Sequence, residues 1–223
     1  MIIRALREFT GVSEPQVWEN IMSGAKIAKE AWEEFAKGRG PLELSPDDVR
    51  RFYRTTDAYL WDLAMWHMGP KREHDRVTAE KWSKAGVKTV LDFGCGTGFN
   101  AVAFARCGLR VEAVDLPGRT LEFCRFRVKQ LGLGSLISIR EHDERWRKDA
   151  GRRKWDTVYC SDVLEHYPTY EAAYAEAKWL RERAVKGCYM AVSFGTGGGV
   201  HPMHLPESPE WEARIKALVE GTP

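Results

Sequence analysis

The stretch Val90-Leu91-Asp92-Phe93-Gly94-Cys95-Gly96-Thr97-Gly98, followed at once by the apolar run 99–105, decides the fold of this chain. A short apolar run ending in glycines reads as a buried strand and a tight turn, and the next run reads as a helix. Glycine has no Cβ, so it takes positive φ and lets the backbone approach a bound molecule closely. The unpaired N–H groups at the helix start face the same space. The spacing is G-x-G-x-G with Asp92 two residues ahead of the first glycine, not the G-x-G-x-x-G of dinucleotide binders.

The downstream sequence repeats the strand-then-acid pattern. Asp115 closes the alternation Val111, Ala113, Val114. A carboxylate there can accept hydrogen bonds from both hydroxyls of a ribose, and it equally suits a helix N-cap ahead of Pro117-Gly118. Residues 136–143, LISIREHD, read as a third strand ending in Asp143, which is also an ordinary turn residue. Residues 155–166, WDTVYCSDVLEH, read as a fourth strand running into Ser161 and Asp162, with Glu165 and His166 beyond it as candidates for a helix start. Helices are expected over 119–131 and 170–185, and a fifth strand over 188–194. Strands alternating with helices imply a parallel sheet with crossover helices on both faces.

In order and spacing, these segments over about 87–195 resemble the class I, seven-strand type S-adenosylmethionine-dependent methyltransferases, whose first motif has the strand–acid–GxGxG form. The resemblance implies a Rossmann-like α/β fold with sheet order 3-2-1-4-5 and S-adenosylmethionine as cofactor. It implies that Asp92, Gly94, Cys95, Gly96 and Gly98 build the cradle and that Asp115 holds the ribose. It places Leu116 beside the adenine, Asp143 and Glu144 near the adenine amino group, and Ser161 and Asp162 on the same rim. The family adds two further strands; here only the loop 195–206 and a helix over about 208–220 follow the fifth, so strands six and seven are expected to be missing. That leaves the fifth strand as a sheet edge, expected to be covered by N-terminal helices or by a second copy in a homodimer.

The implied reaction is in-line methyl transfer to an O, N or C nucleophile of a small molecule, which needs alignment, water exclusion and, for some acceptors, a base. His166 is the first candidate base, because imidazole titrates near neutrality and the residue follows the fourth strand. His201 and His204, in the loop after the fifth strand, are further candidates on the acceptor side. Asp162, Glu165 and His166 echo a set found in some metal-using quinone-precursor O-methyltransferases, but the same letters occur in metal-free relatives, and no metal is assigned. Two other readings are a cofactor-binding module without catalysis and an enzyme using the same cofactor for cleavage or cyclisation. A nicotinamide dehydrogenase is disfavoured by the glycine spacing.

Residues 1–84 differ in character from 85–223 and read as a helical cap or lid on the cofactor domain. One helix is expected from Ser13 to about 36, a second from Ser45 to about 67, and a third over 74–84. Trp18, Trp32, Phe52, Tyr53, Tyr59, Trp61 and Trp66 crowd this segment. Most suit core packing, whereas Tyr53, Tyr59 and Trp66 are candidates to line a pocket, with Tyr59 contacting the cofactor. A net charge of +2 gives no strong steer toward nucleic acid, which is an unlikely partner. The basic cluster Arg145, Arg147, Lys148, Arg152, Arg153 and Lys154 is diluted by acids, and the fourth strand lacks the (D/N)PP(Y/F) of enzymes that methylate DNA amino groups. Five cysteines without a CxxC pair suit buried thiols in a reducing compartment, and no apolar run is long enough to span a membrane, so the cytoplasm is the expected location.

Overall fold

Five parallel strands form one sheet in the order β3-β2-β1-β4-β5 in the computed structural model, which describes residues 2–195 and 201–220. The strands are β1 (Thr89–Phe93), β2 (Arg110–Asp115), β3 (Ile137–Glu141), β4 (Thr157–Ser161) and β5 (Cys188–Ala191). Val90 sits opposite Val111 and Thr157, so the glycine turn after β1 emerges between the ends of β2 and β4, where the strand order reverses. The two-residue period sorts the side chains. Val90, Val111, Ala113 and Tyr159 enter one core, and Leu91, Phe93, Val114, Val158 and Cys160 enter the other.

The first core is closed by α6 (Pro70–Lys84), α7 (Phe99–Arg106) and α8 (Arg119–Gln130), the second by α9 (Glu144–Ala150), α10 (Tyr170–Arg181) and α11 (Pro209–Glu220). The remaining helices are α1 (Ile2–Thr10), α2 (Glu14–Met22), α3 (Gly24–Ala36), α4 (Pro46–Thr55) and α5 (Ala58–Trp66). Leu6, Ile21 and Leu60 pack on Phe123 of α8, and a second cluster joins Trp32, Phe52 and Tyr59 to Met203 of the loop after β5. The N-terminal helices are thus fastened both to the sheet layer and to the far loop.

Several boundaries differ from those read in the sequence. The helix expected from Ser13 breaks at Ser23, because Gly24 lets α3 cross α5 at backbone distance: a Cβ on Gly24 would lie 2.7 Å from Asp62 Cα. The helix expected from Ser45 breaks at Thr56, whose extended backbone (φ −82°, ψ 139°) turns α5 back toward the sheet. The third helix starts at Pro70 rather than 74, which brings Lys71 into it. Within the basic cluster lies α9, capped by Asp143, whose carboxylate accepts from the Trp146 N–H at 2.7 Å. β5 ends at Ala191 rather than 194.

Cover reaches β5 on its faces. His74 of α6 packs on the Tyr189 ring with centroids 5.2 Å apart, and Ile215 and Leu218 of α11 join the cluster that holds Cys188 and Met190. Among the described residues no strand pairs with its outer edge. No described helix is long and apolar enough to cross a membrane, and all five cysteines are free thiols.

Candidate active site

Gly94, Gly96 and Gly98 all take positive φ (72°, 51° and 74°), a conformation that other residues adopt at a cost. The turn is tied to β2: the Val114 carbonyl accepts from the Gly94 N–H at 2.8 Å and from the Cys95 N–H at 3.0 Å. Asp115 completes the tie, accepting from the Gly96 N–H at 2.5 Å on one oxygen and from the Leu116 N–H at 2.7 Å on the other. Two fixed backbone donors orient the carboxylate and leave each oxygen a further lone pair for a ligand hydroxyl. Burial pushes Asp115 up to about 6, against the opposing pull of those two N–H groups. From behind, Arg127 donates to the Thr97 carbonyl at 2.7 Å and stacks its guanidinium 4.0 Å from the Phe99 ring centre. Burial lowers Arg127 to about 10, which leaves it charged at neutral pH.

Asp92 is completely buried beneath the turn with no well-formed hydrogen bond to either carboxylate oxygen. Burial, and then the nearby Asp75 and Asp115, push it up to about 8.

One cavity of about 320 Å³ runs over this rim. It starts at Leu116, Thr120 and His142, passes Asp115, Gly94, Cys95 and Gly96, and reaches Ser161, Asp162 and His166 under Tyr53, Tyr59 and Trp66 of the N-terminal helices. Glycine is required where the cavity floor is tightest: a Cβ on Gly94 would lie 2.2 Å from Val163 Cγ2. An elongated ligand with an adenosine at the Leu116 end and an amino-acid tail at the Ser161 end fits this donor set.

At the other end His166 Nδ1 hydrogen-bonds the Tyr53 hydroxyl at 2.7 Å, and its ring meets those of Tyr53 and Tyr59 edge-on, with centroids 5.1 and 5.8 Å apart. Burial lowers His166 well below the usual histidine range, and His204 and His201 add to the shift, so the ring is neutral at physiological pH. His204 lies edge-on to His166 at 4.4 Å and stacks on His201 at 4.8 Å. Burial brings His204 down to about 4, with His201 contributing.

The residues singled out in the sequence therefore separate into two groups. Gly94, Cys95, Gly96, Asp115, Leu116, Ser161, Asp162, Tyr59 and His166 line the cavity. Gly98 supports the turn from below, where a Cβ would lie 2.4 Å from Cys124 Sγ. His201 and His204 stand behind His166 rather than in the wall, and Asp92 lies under the floor. Asp143 and Glu144 are exposed outside the cavity; Asp143 is occupied as the cap of α9, and His142 takes the rim position. Asp162, Glu165 and His166 turn apart: Asp162 pairs with Lys71 Nζ at 3.2 Å, Glu165 is wholly buried and His166 serves Tyr53. Among the described residues no three His, Cys, Asp or Glu side chains converge as a metal site. Lys71, His67, Asn100 and His142 line the cavity without having been read in the sequence, and Arg127 supports it from behind. His142 and Asn100 lie in segments read for other reasons, the third strand and the run after the glycine turn, whereas Lys71 on α6 and His67 at the end of α5 sit in no motif and are placed by helix packing.

Residues 90–182 match the family described as "Methyltransferase domain". The chain is 28% identical over 130 residues to the ubiquinone biosynthesis O-methyltransferase of Sodalis glossinidius, covering 56% of this chain and 50% of that protein. It is 32% identical over 127 residues to the chloroplastic magnesium protoporphyrin IX methyltransferase of Arabidopsis thaliana, covering 55% and 39% respectively. The chain thus spans about half or less of the length of these curated relatives. Its fold is similar to that of the magnesium protoporphyrin IX methyltransferase of Synechocystis PCC 6803, crystallised with bound S-adenosylmethionine (TM-score 0.51, 21% identity, 72% of this chain and 71% of that one). Residues 90–182 match the methyltransferase domain, and the sheet order and glycine cradle agree with that match: over this segment the chain is similar to the class I S-adenosylmethionine-dependent methyltransferases.

Proposed function

We propose that this chain binds S-adenosylmethionine and transfers its methyl group to a nucleophile, preferably a hydroxyl, of a small aromatic or apolar molecule. The observation that carries this reading is the continuity of the cavity: the Gly94–Asp115 rim and the His166–Tyr53–Tyr59 wall bound one space. When bound, the cofactor supplies an electrophilic methyl on a sulfonium. Asp115 grips the ribose, and the Gly94–Gly96 turn carries the amino-acid tail. Tyr53, Tyr59 and Trp66, with residues 1–84 acting as the lid, hold a flat acceptor and exclude water. With its Nδ1–H donating to the Tyr53 oxygen, neutral His166 keeps Nε2 free to take the acceptor's proton. His204 and His201 fix the ring from behind. Free cysteines suit a reducing cytoplasm, and the open edge of β5 is where a second copy would pair in a homodimer.

Calorimetric titration with S-adenosylmethionine and S-adenosylhomocysteine tests the cofactor assignment. Micromolar binding is expected, weakened about 10- to 100-fold in Asp115→Ala by loss of the charge-assisted hydrogen bonds. Release of S-adenosylhomocysteine with a panel of phenolic acceptors is expected. Methylthioadenosine instead would mean a different reaction, and binding with no turnover on any acceptor would mean a module without catalysis.

A further inference from the structure

Methyl transfer relocates the one positive charge of the reacting groups. It starts on the sulfonium, and the sulfur leaves as a neutral thioether. The acceptor's O–H bond breaks as its oxygen bonds the methyl, and the proton goes to His166 Nε2, so the charge ends on an imidazolium. Burial already holds that ring well below its usual range, so a counter-charge behind it would ease the step. The acids next to His166 are engaged or neutral. Asp162 is paired with Lys71 Nζ at 3.2 Å, and burial and then His201 outweigh its upward pull on His204. Glu165 is wholly buried, and burial, with Asp162 adding to it, pushes its carboxyl up to about 8, which leaves it neutral at physiological pH. Burial also raises the phenols of Tyr53 and Tyr59.

The next acid outward is Asp62 of α5, reached through a strap of residues 201–205. Tyr59 and Asp62 lie three residues apart on one face of α5. Met203, wholly buried, packs into the cluster of Tyr59, Trp32 and Phe52, which lays the strap across that face. Its other end is fixed beside His166, where the Leu205 N–H donates to the Glu165 carbonyl at 2.8 Å. Between the two, the His204 N–H donates to the His201 carbonyl at 3.1 Å, a tight turn that stacks the two rings within 9° of parallel. His204 meets His166 edge-on, and His201 acts on Asp62, opposing the upward push of burial on that carboxyl. Asp62 is half-buried where α3 crosses α5 at backbone distance. An acid is costly to keep ionised there, and His201 offsets that cost.

We infer that Asp62 is the counter-charge for the proton taken by His166, a positioning residue that acts through the His201–His204 stack. The inference rests on the proposed use of His166 as base and adds a role for the N-terminal helices, which supply charge as well as cover. The base is complete only when α5 and the strap are docked together, because Asp62 comes from one and the two histidines from the other.

Turnover of two phenols tests the assignment. One phenol keeps its proton at the assay pH and needs a base; the other, nitro-substituted, is ionised at that pH and needs none. Asp62→Asn is expected to lower kcat for the first by about 3- to 10-fold, the effect of one charge at about 10 Å in the protein interior. Turnover of the second phenol and the affinity for S-adenosylmethionine are expected to stay within about twofold. Asp62→Glu should restore most of the loss, and in a His166→Gln background Asp62→Asn should add nothing further. His201→Gln keeps the carboxylate but removes its link to His204, so it should show the same selective loss, and it stands in if Asp62→Asn does not fold. Equal slowing of both phenols, or slowing of neither, overturns the inference while the base assignment stands on the loss seen in His166→Gln. If His166→Gln slows neither phenol, or the unmodified chain turns over neither, the base assignment and the inference fall together.

Discussion

The two ends of the cavity are built on different principles. The cofactor end is local: Asp92 and Asp115 sit on the paired strands β1 and β2, the three glycines lie in the turn directly after β1, and backbone hydrogen bonds set their geometry. The acceptor end is composite: Tyr53 comes from α4, Tyr59 from α5, His166 from the segment after β4 and His204 from the loop after β5. A rim made by strand pairing tolerates little change, because moving it means breaking the sheet. A wall made by packed helices and loops can be recut without disturbing the sheet, which is how one fold serves many acceptors.

The sharpest way to break this contrast is Gly94→Ala. The methyl group meets Val163 in a backbone conformation with φ near +72°. Strain of about 1–2 kcal/mol combines with lost access to the tail, so affinity for S-adenosylmethionine is expected to fall by about 100-fold or more. Calorimetry reads the loss. Retained micromolar binding would show that the turn is not the cradle.

A second, smaller effect probes the composite end. His166→Gln is expected to lower kcat by about 10²- to 10³-fold toward a hydroxyl acceptor while cofactor affinity stays within a few-fold. Isothermal titration and turnover measured on the same preparation separate the two quantities. Equal loss of cofactor binding and turnover would mean that the ends are one unit after all.

The same contrast explains what could be read in the sequence. The glycine turn and the position of Asp115 follow from contiguous apolar and glycine patterns, the strand order is implied by the family resemblance, and the sheet takes them up unchanged. The break at Thr56 carries no glycine or proline; only the packing of α5 against α3 and α8 reveals it. The helix α9 lies within the charged run because a single large apolar residue, Trp146, anchors it, with its indole donating to the buried Glu112 at 2.7 Å. Lys71 lies two residues after Gly69, at the start of a helix with little amphipathic pattern, so nothing in the local sequence marks a lysine whose ammonium ends on β4. Asp143 shows the converse: a strand-end acid matched the pattern, and its proximity to α9 gave it a cap to make instead.

The smallest expected effect is a pair of opposite pH trends from the cofactor end. Asp115 and Asp92 have ordinary carboxyl values of 3.8 and stand at about 6 and about 8 in the folded protein. A carboxyl raised by folding binds its proton more tightly in the folded state. Its contribution to stability is therefore complete below about pH 4 and is lost as pH rises through the folded value. Without ligand, the chain is expected to lose thermal stability progressively from pH 5 to pH 9. Asp92→Asn should flatten the upper part of that decline, at about 2–4 °C in Tm for each kcal/mol recovered. Cofactor affinity should move the other way, because the ribose hydroxyls need an ionised Asp115: binding is full above about pH 6 and weakens by up to about tenfold per unit below it. Calorimetry at pH 5 to 7 on the unmodified chain and on Asp115→Asn reads this directly, the variant binding weakly and without a slope. If stability and affinity fell together with acid, Asp115 would not be the titrating group, and the rim would not be storing the destabilisation that the cofactor relieves.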